Sequence, residues 1–207
     1  MAEKLKLNKV TLRAERQRLE LYSEFLPTLE LRKLQLLTHL RKLGHEIEDK
    51  EQALQRLLDG AEPWAPMLKS YLPWLRPHVV IESVQKRAAN VAGVSVPIFG
   101  GVQFSRARYS LLGTPPFFDT AVEYLQRALA AREELKVLRE QQERLQRELT
   151  KTTQRINLYQ EVLIPEARDN IHRIRVYLGD QYTAAVCRAK IAKDKLLARG
   201  AAQRSAT

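Results

Sequence analysis

The stretch "TTQRINLYQEVLIPEARDNI", Thr152 to Ile171, sets a proline in the middle of strongly helical sequence. A proline inside a helix removes one hydrogen bond and clashes with the carbonyl four residues back, at a cost of about 3 kcal/mol. Yet helical spacing continues on both sides of Pro165. Thr152, Ile156, Tyr159, Leu163, Ala167, Ile171, Ile174 and Leu178 follow one another in steps of 4, 3, 4, 4, 4, 3 and 4. Alternating threes and fours are the seam of a coiled coil. The run of fours from Tyr159 to Ile171 is a stutter, which locally unwinds such a coil. The stretch therefore reads as one long helix whose winding changes around Pro165. Two readings of the proline stand: a kink that shapes the helix, or a kink tolerated on its outer face.

Upstream, the repeat reaches back to Pro115-Pro116. Ala121, Ala128, Leu135, Leu149, Ile156 and Leu163 hold one position, with Gln142 the exception. Tyr124, Ala131, Leu138, Leu145 and Tyr159 hold the other, with Thr152 the exception. A helix over about 117–197 would be roughly 120 Å long, too long for a globular core of this chain's size to bury. A second repeat lies near the N-terminus. Leu12, Leu19, Leu26, Leu40, Ile47 and Leu54 take one position, and Tyr22, Leu29, Leu36, Leu43 and Leu57 the position three later. Glu15, Lys33 and Lys50 interrupt this seam, and Pro27 suggests a bend or break between Phe25 and Thr28. Two such helices bury each other as an antiparallel pair. With flush ends, facing positions would sum to roughly 200, setting Leu36 near Ile164 and Leu54 near Leu145.

Between the helices the composition changes. Seven of the nine prolines lie from Pro63 to Pro116, with both tryptophans, Trp64 and Trp74. "EPWAPMLKSYLPWLRP" reads as a short helix between prolines. Val79–Arg87 and Val94–Phe104 read as strands, joined by a turn over "AANVAG" that ends at Gly93. Pro97 demotes the second strand to an edge or a bulge. The expected fold is all-α dominated: a long antiparallel two-helix coiled coil with a short middle insert holding a β-hairpin and a short helix. Its parts would be an N-terminal helix over 1–60, an insert over 61–116 with the hairpin at about 79–105, a C-terminal helix over 117–199, and a flexible tail at 200–207.

The 207 residues carry 35 Lys and Arg against 24 Asp and Glu, a net charge of +11. An acidic protein surface, nucleic acid and anionic headgroups are all open as partners. The charge gathers at the two ends, which the hairpin would bring together. Lys4, Lys9 and Arg13 lie at one end, and Arg188, Lys190, Lys193 and Lys195 at the other. Juxtaposed cations repel, so these residues are candidate contacts for an acidic partner. Ala185, Ala189 and Ala192 nearby suggest a narrow seam with close helix approach. The single Cys187 excludes an internal disulfide and fits a reducing compartment. No apolar run has signal-peptide or membrane-span length, so a soluble, cytoplasmic chain without membrane insertion is expected.

No phosphate-binding loop is present, and "FGG" at Phe99 to Gly101 is no dinucleotide fingerprint. His39, His45, His78 and His172 lack partners at metal-ligand spacing and read as surface or seam residues. The carboxylates of "EELKVLREQQERLQRE" fit a solvated helix face with ion pairs four residues apart. The expectation is therefore no enzyme active site, no metal and no cofactor.

Three places carry a resemblance to a family. Arg155-Ile156-Asn157, Ile164-Pro165, Asn170-Ile171, Ile174 and Leu178 form one run; "NVAGVSVPIF", Asn90 to Phe99, forms the second; "LELRKLQLL", Leu29 to Leu37, is the third and least specific. With the helix–insert–helix layout, the chain resembles the D subunits of the vacuolar/archaeal-type (V/A-type) rotary ATPases. The motif positions are Asn90, Gly93, Pro97, Phe99, Arg155, Asn157, Ile164 and Pro165. The resemblance implies a non-catalytic central shaft that transmits torque between ATP hydrolysis or synthesis in the head and ion translocation by the membrane rotor ring. It implies as partners the catalytic and regulatory A and B subunits of the head, the small F subunit, and the funnel-shaped C (or d) subunit. It implies a cytoplasmic place, peripheral to the membrane. The F subunit would contact Tyr124, Leu125, Leu135, Leu138 and Leu145, where the second helix outruns the first. The alternative is a basic coiled-coil adaptor or scaffold on nucleic acid or an anionic membrane surface. Against it, the aromatics form no base-stacking β platform, and the apolar stripe has no Trp or Phe anchors.

Overall fold

The computed structural model describes residues 5–105 and 114–204, with side chains described as far as residue 197. Helix α1 runs Lys9–Asp59. It is followed by α2 (Ala65–Lys69), α3 (Leu72–Leu75) and a 3₁₀ turn (Arg76–His78). Strands β1 (Ile81–Val91) and β2 (Val94–Phe104) come next, then α4 (Phe118–Asn157), a π-helical turn (Leu158–Leu163) and α5 (Ile164–Arg204). The expected fold class holds: long helices at either end, with a β-hairpin insert between them. Every residue assigned to the two heptad repeats is buried or half-buried. The chain divides into two compact units, Met1–Glu30 with Gln154–Thr207, and Leu31–Thr153.

In the unit Leu31–Thr153, α1 and α4 run antiparallel. Leu36, Leu43 and Ile47 of α1 share a core with Leu135, Leu138 and Leu145 of α4. Each such side chain, fully buried, contributes about 1.5–3 kcal/mol. Ion pairs fix the register along the rim, Lys50 Nζ to Glu134 and Arg139 to Glu51, both at 2.7 Å. The β-hairpin lies against this pair of helices. Val94 and Val96 of β2 enter the same core, and Lys86 of β1 donates to Glu140 of α4 at 2.7 Å.

The hairpin turn is tighter than expected. Ala88 to Val91 belong to β1, and only Ala92 and Gly93 separate the strands. Both have positive φ, 50° and 78°, as a two-residue type I′ turn demands. Pro97 sits within β2 opposite Ala88. Having one neighbour only, each strand keeps a free edge, so the missing N–H disturbs no ladder there. A bulge between Gln85 and Lys86 fits Gly101, whose φ of 130° suits glycine alone.

The proline-rich insert builds a second core. Leu68 and Leu75 pack with Phe118, Ala121 and Val122 at the start of α4, and Trp64, Tyr71, Phe117 and Leu125 close round them. His78 is part of this layer, buried edge-on against Phe118 at 5.6 Å, and its carbonyl accepts from Gln126. It is thus neither a surface nor a seam histidine; the insert folds back and encloses it.

In the unit Met1–Glu30 with Gln154–Thr207, α1 again runs antiparallel to its partner helix. Tyr22 meets Tyr159 edge-on at 5.3 Å, and Gln160 donates to Glu30 at 3.0 Å. Ala167, Ile171 and Ile174 are buried, Ile174 completely. Glu15, read as a break in the seam, is buried and satisfied by Arg18 at 2.8 Å. Pro27 does not break α1, which is unbroken from Lys9 to Asp59 with Pro27 exposed. The Thr28 hydroxyl donates to the Phe25 carbonyl alongside it.

The stutter has a structural counterpart. Tyr159 to Ile171 spans 12 residues in three turns, whereas three α turns hold about 10.8. The π turn Leu158–Leu163 absorbs the surplus: Ile164 N–H donates to the Tyr159 carbonyl five residues back. Pro165 follows Ile164 directly, where the five-residue bonding of the π turn gives way to α5, so its missing N–H falls where the helical ladder is already shifted. Pro165 itself is exposed. The winding change and the proline are one feature.

The flush-ended register is corrected. Facing residues sum to about 190 for Glu51 with Arg139 and for Glu30 with Gln160, and to about 184 for Lys50 with Glu134. The ends are not flush because α1 starts at Lys9, capped by the Asn8 carboxamide on Thr11 N–H at 2.7 Å, while α5 continues to Arg204.

Candidate partner-binding surfaces

That offset leaves the end of α5 bare. Every residue from Gly179 to Leu197 is exposed. Tyr182 is 74% exposed, Ile191 55%, Leu196 67% and Leu197 63%. The expectation of a narrow seam at Ala185, Ala189 and Ala192 is overturned: all three face solvent, because among the described residues no part of α1 packs on them. Apolar side chains here alternate with Arg188, Lys190, Lys193 and Lys195, all exposed. Lys9 and Arg13 at the start of α1 are exposed as well. Lys4 lies outside the described residues. A bare helix that mixes large apolar and cationic side chains gains stability once a complementary surface covers it.

The positions expected to meet the F subunit fall differently. Leu135, Leu138 and Leu145 are buried in the chain's own core, and Leu125 is half-buried against the insert. Tyr124 packs edge-on against Trp64 at 4.8 Å. The insert supplies much of the cover that these residues need. The heptad spacing marks Tyr124, Leu135, Leu138 and Leu145 as inward, but not Leu125, and it does not say which element meets them.

Of the motif positions, Gly93 makes the hairpin turn, Pro97 is buried, Phe99 is half-buried, and Asn90 is exposed on β1 opposite Ser95. Arg155 and Asn157 close α4 with exposed side chains, half-buried Ile164 opens α5, and Pro165 follows.

The sequence reading missed a further set of exposed apolar residues. Leu31 and Leu34 stand out from α1 at 56% and 61%, and Met67, Leu72, Trp74 and Val80 between α1 and β1 are exposed as well. The signal was available for the first two, since Leu31 and Leu34 fall outside the seven-residue spacing. For the insert, no periodicity distinguishes inward from outward residues.

Ion pairs dominate the electrostatics of α4. Glu140 accepts from both Lys86 and Arg144. The hydrogen bond from Lys86 holds its carboxyl below the usual 4.5, against an opposing push from burial and with help from Arg144. Among the described residues no group of three or more His, Cys, Asp or Glu could hold a metal ion, and no helix is long and apolar enough to cross a membrane.

Comparison with known proteins adds the family. The model of the family described as the ATP synthase D subunit matches residues 11–194. The V-type ATP synthase D subunit of Borreliella burgdorferi is 37% identical over 194 residues, covering 94% of this chain and 96% of its own. The proteins of the same description from Chlamydia pneumoniae and Chlamydia felis are 32% and 31% identical over 200 residues, covering 95% of both chains in each case.

Proposed function

Because the chain belongs to the family of ATP synthase D subunits, we propose that it is the non-catalytic central shaft of a V-type ATPase or ATP synthase. It transmits torque between ATP chemistry in the head and ion translocation by the membrane rotor ring. As a member of such a complex it has other ATPase subunits as partners. The observation that carries the finer reading is the bare end of α5. A helix stretch from Gly179 onward that exposes Tyr182, Ile191, Leu196 and Leu197 among four cations is built to be enclosed, not solvated. The A and B subunits of the head are its proposed sleeve. The interlocked helix seams resist twisting, which a torque-bearing element requires.

The other contacts follow the remaining exposed faces. The funnel-shaped C (or d) subunit would take the insert, where Met67, Leu72 and Trp74 are uncovered. The F subunit would take the outer side of α4 between Tyr124 and Leu145, since the inner side is filled by the chain itself. The complex would hold the chain at the cytoplasmic face of the membrane without inserting it.

The test is a triple charge reversal, Lys190→Glu, Lys193→Glu and Lys195→Glu. The isolated variant should remain as helical as the parent by circular dichroism. Its assembly with the A–B head should weaken, or ATP hydrolysis should uncouple from ion transport. Unchanged assembly and coupling at physiological salt would remove the end of α5 from the bearing.

A further inference from the structure

A groove of about 340 Å³ runs between α1 and α5 in the unit Met1–Glu30 with Gln154–Thr207. Its walls are Arg16 of α1 and Arg168, His172 and Arg175 of α5, with Leu19 and buried Ile171 beneath. All four polar side chains are exposed, and none makes an ion pair among the described residues. No acidic side chain lines the groove. Glu15, the buried carboxylate of this part of α1, is turned to Arg18 instead. Three guanidinium groups lining one groove with no acidic side chain among them make a local excess of positive charge that an anionic partner would complement.

The spacing says what kind of partner. Arg168, His172 and Arg175 lie on one face of α5 and span seven residues, about 10 Å along the axis. Arg16 flanks them from the opposite helix. This is a row of donors and not a nest converging on one point. A row matches successive carboxylates on a protein segment better than it matches one phosphate group. Arginine suits the task because its planar fork binds a carboxylate through two parallel hydrogen bonds.

We propose that the groove receives an acidic segment, bearing at least two Asp or Glu side chains, from an ATPase head subunit that surrounds this part of the chain. The proposal rests on the shaft reading but concerns a different surface from the bare end of α5. It predicts a defined, charge-paired seat where that end offers a mixed apolar and cationic bearing.

The experiment uses the assembled complex. A photo-reactive residue in place of His172 should crosslink to a head-subunit segment with two or more carboxylates. The double variant Arg168→Glu/Arg175→Glu should weaken assembly at least tenfold and flatten its dependence on salt. Lysines at the crosslinked carboxylates should restore assembly to that variant while weakening it for the parent chain. Crosslinks to a segment without carboxylates, or no rescue by the swapped charges, would overturn the proposal. So would tight binding of inorganic pyrophosphate by the isolated chain that is lost in Arg168→Gln/Arg175→Gln, which would make the groove a small-anion site. Normal assembly of the double variant sinks the groove alone. A parent chain that enters no ATPase complex sinks the groove and the shaft reading together.

Discussion

At the scale of single residues, two positions carry consequences that can be measured. Ala92 holds a φ of 50° in the hairpin turn, where an L residue with a Cβ costs roughly 1 kcal/mol relative to one that tolerates the left-handed region. Asn-Gly is the favoured pair for this turn, so Ala92→Asn should stabilise the chain by about 0.5–1 kcal/mol. The gain should appear as a higher urea midpoint at unchanged slope. Glu140 is the second position. Its folded-state pKa lies below 4.5 because the carboxylate accepts from Lys86. A depressed carboxylate contributes stability that is complete at neutral pH and is lost as pH falls from 4.5 through the folded value. The pair is partly exposed, so Glu140→Gln should cost no more than about 1 kcal/mol at pH 7. The difference between variant and parent should shrink as the pH is lowered past 4.5. A difference that grows in acid would contradict the ion pair. Ala92 also marks a limit of sequence reading. A turn of six residues and a turn of two are equally compatible with "AANVAG", and only the pairing of Val91 with Val94 decides.

At the scale of elements, the π turn is the feature that sequence spacing anticipated best. Three successive steps of four already hold one residue more than α turns can place on a single face. The π turn is how the backbone accommodates it. Deleting Gln160 should therefore convert Leu158–Leu163 to ordinary helix while keeping Ala167, Ile171 and Ile174 on the buried face. Inserting one alanine there should instead rotate those three side chains by about 100° and expose them. Amide hydrogen exchange should show protection of Ile171 and Ile174 retained in the deletion and lost in the insertion. Exchange equal in the two variants would mean that the surplus residue and the π turn are unrelated. The seams were legible because burial follows a fixed side-chain period. The register was not. Heptad repeats look alike after every slip of seven, and the true offset depends on where α1 starts and how the insert folds. The insert itself resisted reading for a related reason: with short elements between prolines, no period reports which way Leu75 or His78 faces.

At the scale of the whole molecule, stability and assembly should separate by position. Leu145 is almost fully buried, so Leu145→Ala should cost about 2–5 kcal/mol. Leu196→Asp, at an exposed position of α5, should shift stability by less than about 0.5 kcal/mol yet impair assembly with the head. Thermal unfolding of each variant beside a reconstitution assay checks the contrast, and a large loss of stability in Leu196→Asp would show that the end of α5 is packed in the isolated chain. The shared core of Leu36, Leu43, Ile47, Val94, Val96, Leu135, Leu138 and Leu145 also bears on how a newly made chain survives on the ribosome. Leu36 emerges 99 residues before Leu135, a delay of about 5–20 s at ordinary rates of synthesis. An α1 left waiting with an open leucine stripe would be prone to stick to other nascent chains. Val94 and Val96 arrive first, however, and they meet the same leucines. The hairpin is thus placed to act as a temporary cover for α1 during translation, a built-in escort that stays on when α4 completes the core.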